Sequence, residues 1–260
     1  MPNRTNRIKP AEYDQWLTSS AVQRLLALES GWIADALHSL HAQQLMYAGI
    51  DPHARCIQQR RISHAFQMCL PWQSQQPAHG ALMSDSHWPF ADESIDIVVL
   101  QHALEFARQP HQMMREVART VMSNGYVIIV GFNPHSPWGL VRSFGSLSKQ
   151  LPWSLSPLHA QRIADWLTLL DFRIESIQPV GHIWPMNIGS DVLSRRIDRK
   201  LAGNHWLPAS GYLLVARKRV AGVTPIRPWL WRTMLSSDRL GYANGCAQTH
   251  SQKTGSHFEG

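Results

Sequence analysis

Residues 81–133, ALMSDSHWPFADESIDIVVLQHALEFARQPHQMMREVARTVMSNGYVIIVGFN, carry the pattern that decides the fold. A short apolar run ends in Ser84-Asp85-Ser86, and Trp88-Pro89-Phe90-Ala91-Asp92 marks a turn. In residues 95–100, Ile95, Ile97, Val98, Val99 and Leu100 are interrupted only by Asp96. A nearly continuous apolar, β-branched run suits a parallel strand covered on both faces. Over residues 110–122, Met113, Met114, Val117 and Val121 fall on one side of a helix. Pro110 stands at its start and Asn124-Gly125 at its stop. Residues 126–130 then read as a second buried strand, which completes a βαβ unit.

Upstream, residues 20–40 place Val22, Leu25, Leu26, Ile33, Leu37 and Leu40 at helical spacing, and Tyr13-Asp14-Gln15-Trp16-Leu17 joins them. One or two helices are expected there. Residues 44–50 form a compact apolar run closed by Asp51-Pro52 and read as the first strand. Residues 63–70, ended by Pro71, are the second, and residues 80–84 a short third. Downstream, residues 133–157 are rich in Gly, Ser, Pro and aromatic residues and read as an irregular excursion. A helix is expected over residues 158–170, with Ser156 as N-cap and Pro157 in the first turn. Residues 172–180 and 212–216 read as two closing strands joined without an obvious helix.

Strands alternating with helices at this spacing predict a doubly wound, mostly parallel α/β sheet of seven strands. Residues 1–43 are expected as an N-terminal helical segment, 44–220 as the α/β domain and 221–260 as a disordered tail. The tail is dominated by Pro, Ser, Gly, Asn, Gln and His.

No apolar run reaches the length of a bilayer span, and residues 1–10 lack the apolar stretch of a secretory signal. Cys56, Cys69 and Cys246 are far apart and form no CxxC pair. That usage fits a cytoplasmic chain and argues against a disulfide framework or a cysteine-rich zinc site. There are fourteen histidines, but His38 and His41 lack a carboxylate or Cys partner in the pattern, so no metal site is expected. The net charge of +7 is concentrated: residues 195–232 hold nine Lys or Arg against one acid, Asp198. With Trp206, Trp229 and Trp231 nearby, this stretch is a candidate surface for nucleic acid or an anionic membrane, or simply a solvated face.

The run Asp85…Trp88-Pro89-Phe90-Ala91-Asp92-Glu93-Ser94-Ile95-Asp96 resembles the D-x-x-x-L-P-F-x-D-x-S-F-D pattern of class I S-adenosylmethionine-dependent methyltransferases of the type 11 family. Trp88 replaces the usual Leu and Ile95 the usual Phe. The resemblance implies a Rossmann-like sheet that binds S-adenosyl-L-methionine beyond the carboxyl ends of its strands. It implies that Gly49 and Asp51 line the methionine part, that Asp85 and Ser86 flank adenine, and that Gln101 lies near the reacting end. His102 or Asn133 would then face the methyl acceptor, with His102 as a general base or as a structural histidine. The chain departs from the family in YAGIDPHARC, with one glycine where three are usual, and in Met68-Cys69-Leu70-Pro71-Trp72-Gln73, which lacks the ribose-binding acid. Two functions are therefore expected to compete: a methyltransferase of unspecified acceptor, and a methyltransferase-like scaffold without catalysis.

Overall fold

In the computed structural model, the chain can be described at residues 10–58, 62–70, 73, 80–82, 84, 87–136, 155, 157–181 and 208–219. These belong to one compact unit, Met1–Ala221. The basic stretch between residues 195 and 232 lies mostly outside the described residues, and the tail from 221 wholly so. Asp85, Ser86 and Ser156 also lie outside them.

The elements are α1 (Pro10–Leu17), α2 (Ser20–His38), β1 (Gln44–Gly49), α3 (Arg55–Gln58), β2 (His64–Cys69), β3 (Gly80–Leu82), β4 (Ile95–Gln101), α4 (Ala103–Phe106), α5 (Pro110–Thr120), β5 (Val121–Phe132), α6 (Ala160–Leu169), β6 (Phe172–Val180) and β7 (Gly211–Lys218). The seven strands form a sheet in the order β3-β2-β1-β4-β5-β7-β6. β1 to β5 pair in parallel, while β7 is antiparallel to both β5 and β6. Strand order reverses between β1 and β4, where Gly49 pairs with Gln101. This switch point is where open parallel sheets bind their ligands.

Period-two alternation divides the core between the two faces. Met46, Ala48, Val98, Leu100, Val127, Ile129 and Leu214 pack on one face against Met113, Val117 of α5 and Ile163, Leu167 of α6. Leu45, Tyr47, Ile97, Val99, Ile128, Val130, Leu213 and Val215 pack on the other. α2 serves both. Its Val22, Leu25 and Leu26 join the first cluster, its Ile33 and Leu37 the second, and the buried Glu29 lies at the crossing.

Element types agree with the sequence pattern, and the boundaries shift for local reasons. The helix expected to reach residue 122 ends at Thr120, and β5 begins at Val121. Val121 pairs with Ile95, and Ser94 N donates to Thr120 O at 2.9 Å, so strand pairing captures residues the helical period also suited. Asn124, at φ 68°, turns the chain inside this strand instead of stopping the helix. Gly125 follows because a Cβ there would come within 2.7 Å of Asp96 O.

Candidate functional site

The sequence after β1 builds a tight loop. Asp51 is fully buried, and its two carboxylate oxygens accept from His53 N (3.1 Å) and Arg55 N (3.0 Å). They fasten the loop to the first turn of α3, with Ala54 in the left-handed region at φ 44°. Asp51 N donates to Tyr47 Oη (3.1 Å), and Asp51 O accepts from Gln67 Nε2 (3.1 Å). Asp51 is therefore a builder of the loop that the resemblance assigns to the cofactor.

Gly49 is required here by close approach. A Cβ would lie 2.6 Å from Tyr47 Oη and 2.7 Å from Gln101 Cβ. The carbonyls of Gly49 and Ile50 are met by side chains from elsewhere. Gln73 Nε2 donates to Gly49 O at 2.7 Å, and Tyr13 Oη donates to Ile50 O at 3.1 Å. Gln73 Oε1 in turn accepts from Leu70 N at 2.8 Å, so this amide spans the exits of β1 and β2. Tyr13 stands edge-on to Phe106, with centroids 5.8 Å apart, and Trp16 of the same helix lies 5.9 Å from Phe106. Trp16 Nε1 is buried and meets no acceptor among the described residues.

At the exit of β4, one hydrogen-bonded chain runs through the interior. Tyr47 Oη donates to Gln101 Oε1 at 2.6 Å, and Gln101 Nε2 donates to Glu29 Oε2 at 2.6 Å. His102 Nε2 lies 2.8 Å from Glu29 Oε1, and His102 Nδ1 lies 2.7 Å from Glu105 Oε2. Phe132 N donates to Glu105 Oε1 at 2.5 Å. Including Asp51 N, the chain links the loops after β1 and β4 to the end of β5, and ties α2 to them. All of its side chains are buried.

Donor and acceptor counting fixes the charges. Each ring nitrogen of His102 faces a carboxylate oxygen, and the remaining oxygen of each carboxylate already receives an N–H. With the His102 pKa raised to about 10, both ring nitrogens donate at neutral pH, which makes His102 an imidazolium between two carboxylates. Burial disfavours that cation, but Glu29 and Glu105 override it and hold the His102 pKa up at about 10. A base with both nitrogens protonated and its ring fully buried cannot take a proton from an acceptor. The general-base expectation for His102 is replaced by a structural and electrostatic one. Its backbone, at φ 55°, starts α4 in the left-handed region, and its ring stacks on Phe132 at 4.0 Å.

Asn133 is also engaged. Its Nδ2 donates to Ala209 O (3.0 Å), and its Oδ1 accepts from His135 N (3.0 Å). It pins the loop after β5 to the segment before β7. The structure thus brings Gly49, Asp51, Gln101 and His102 together and sets Asn133 in a separate clamp.

The sequence reading missed Glu29, Glu105, Gln73 and Tyr13. Glu29 carried a usable signal: an acid on the apolar stripe of α2, between Leu26 and Ile33. Gln73 carried none, because its role depends on a contact across 24 residues of chain.

Comparisons with known proteins bear on the fold. Residues 29–129 match the model of a family described as a methyltransferase domain. The Escherichia coli (strain K12) protein YafS is 36% identical over 140 residues, which is 53% of this chain and 54% of that protein. The chain thus spans about half the length of that relative. A Thermotoga maritima S-adenosylmethionine-dependent methyltransferase, described as a possible histamine N-methyltransferase, superposes with a TM-score of 0.56 at 13% identity. That match covers 80% of this chain and 96% of the other. Streptomyces coelicolor geranyl diphosphate C-methyltransferase gives a TM-score of 0.52 at 12% identity, covering 76% and 81%.

Proposed function

We propose that this chain, whose residues 29–129 match a methyltransferase-domain model, binds S-adenosyl-L-methionine at the exits of β1 and β4 and passes the methyl group to an acceptor. When bound, the cofactor supplies an activated methyl on a sulfonium centre. The observation that carries this reading is the pair of backbone carbonyls at Gly49 and Ile50, at the exit of β1. They accept from the side chains of Gln73 and Tyr13, close to Trp16, whose indole N–H meets no acceptor among the described residues. Two acceptors and two donors of this kind suit the ammonium and carboxylate of an amino-acid moiety. The Gln73 amide stands where the family places a ribose-binding acid, and it can accept from a hydroxyl. Asp85 and Ser86 would flank adenine.

The roles of this chain's residues follow. Gly49 admits a close backbone approach, Gln101 holds the loop through Tyr47, and the Trp16 and Phe106 rings pack together beside it. Proximity and orientation supply much of the rate in a direct displacement, so no protein base is needed for an acceptor that is already nucleophilic. The acceptor is a nucleophile of unassigned class.

Calorimetric titration with S-adenosylmethionine and S-adenosylhomocysteine tests the reading. Micromolar binding is expected, weakened about tenfold in Asp85→Ala, a loss of about 1.4 kcal/mol. A folded sample that takes up neither ligand would overturn it and leave the scaffold reading.

A further inference from the structure

The buried chain at the switch point holds Glu29, His102 and Glu105 in one row. Its four carboxylate oxygens each receive an N–H, from Gln101, His102 twice and Phe132. Two carboxylates around one imidazolium leave one negative charge that no other cation among the described residues pairs with. Exposure of the three side chains is 2%, 0% and 1%, so water does not screen it. Among the described residues, the ion pairs of Glu29 and Glu105 are with His102 and none is with a Lys or Arg. A charge of this kind deep in a fold is costly unless something nearby compensates for it. The row lies directly beneath the paired ends of β1 and β4, because Gln101, the register partner of Gly49, is itself bonded to Glu29.

We propose that the Glu29–His102–Glu105 row sets the charge preference of the crevice, favouring a ligand with a sulfonium cation over its neutral thioether product. This rests on the cofactor reading above and deepens it. The row acts at a distance and touches no reacting atom. It holds the crevice at a negative potential, which attracts the positively charged methyl donor and lets the uncharged product leave. A second feature fits this role. The same bonds fix the left-handed backbone at His102, so the charge cannot relax away from the strand exits without unmaking the start of α4.

The test compares dissociation constants rather than turnover. In the wild-type protein, S-adenosylmethionine should bind about tenfold more tightly than S-adenosylhomocysteine, and an analogue with a protonated amine in place of the sulfonium should behave like the former. Glu29→Gln and Glu105→Gln each remove one negative charge while keeping the side-chain shape. Each should bring the two constants to within about threefold of each other. Thermal melts establish which variants are folded, and the amine analogue on the wild-type protein provides the test even when neither variant folds. If both affinities fall together in a folded variant, with the ratio unchanged, the row is only structural and the proposal is overturned. The same holds if the wild-type protein binds the thioether and the amine analogue equally well. Failure of the wild-type protein to bind any of the three ligands instead sinks the cofactor reading itself.

Discussion

Two clusters in this molecule set one cation between two carboxylates, and they differ in almost everything else. Near the start of β4, Arg119 bonds Asp92 at 2.6 Å and Glu116 at 2.8 Å, and its guanidinium also donates to Phe90 O and Trp88 O. Trp88 N donates to Glu116 Oε2 at 2.9 Å. At the far end of the sheet, His102 bonds Glu29 and Glu105. The arginine cluster is partly open, with Asp92 74% exposed, whereas the histidine cluster is sealed. The first is a staple made from a cation that never titrates, and water shares in holding it. The second is a high-stakes interior network whose members hold only while all are present.

The largest break should come from His102→Leu. Two buried carboxylates would then face each other without a cation, at a cost of about 3–5 kcal/mol in urea unfolding. A loss below about 1 kcal/mol would mean that the row is no tighter than the arginine staple. Gly49→Ala attacks the same network sterically, by pushing Tyr47 and Gln101 apart. A loss of about 1–3 kcal/mol is expected, visible as a lower urea midpoint.

The two clusters should also separate by pH. The folded-state pKa of His102 is raised from its ordinary 6.5 to about 10. Its stabilising contribution is therefore complete below pH 6.5 and lost as pH rises toward 10. Urea midpoints should fall over that window in the wild-type protein and stay flatter in His102→Gln. Parallel slopes would refute the imidazolium assignment. Glu116 is lifted by burial, but the hydrogen bonds from Arg119 and Trp88 N outweigh this and lower its pKa, so that cluster loosens only in acid. The smallest effect belongs to Arg119→Ala, about 1 kcal/mol and reduced further by salt. A larger, salt-independent loss would place the staple in the same class as the interior row.

The comparison also recasts the motif that first pointed to the fold. In Trp88-Pro89-Phe90-Ala91-Asp92-Glu93-Ser94, the described residues are held to α5 through Arg119, and Ser94 Oγ bonds Ala91 O at 2.8 Å. Much of this pattern is a folding device that carries the chain into β4.

Local sequence alone determined the types of the longer elements and the mostly parallel sheet. Alternation and helical spacing are periodic signals that residues 95–132 and 172–218 carry without help from distant parts. Gly49 and Gln101 could be placed at the switch point for the same reason, since strand ends can be read from the sequence. Tertiary structure decided what those ends do. Whether Asp51 faces a ligand or its own loop, and whether His102 is a base or a cation, depends on Glu29 lying 73 residues from His102 and on Phe132 arriving from the next strand. Charge state in a protein interior is set by the groups that meet there, and periodicity along the chain does not record those meetings.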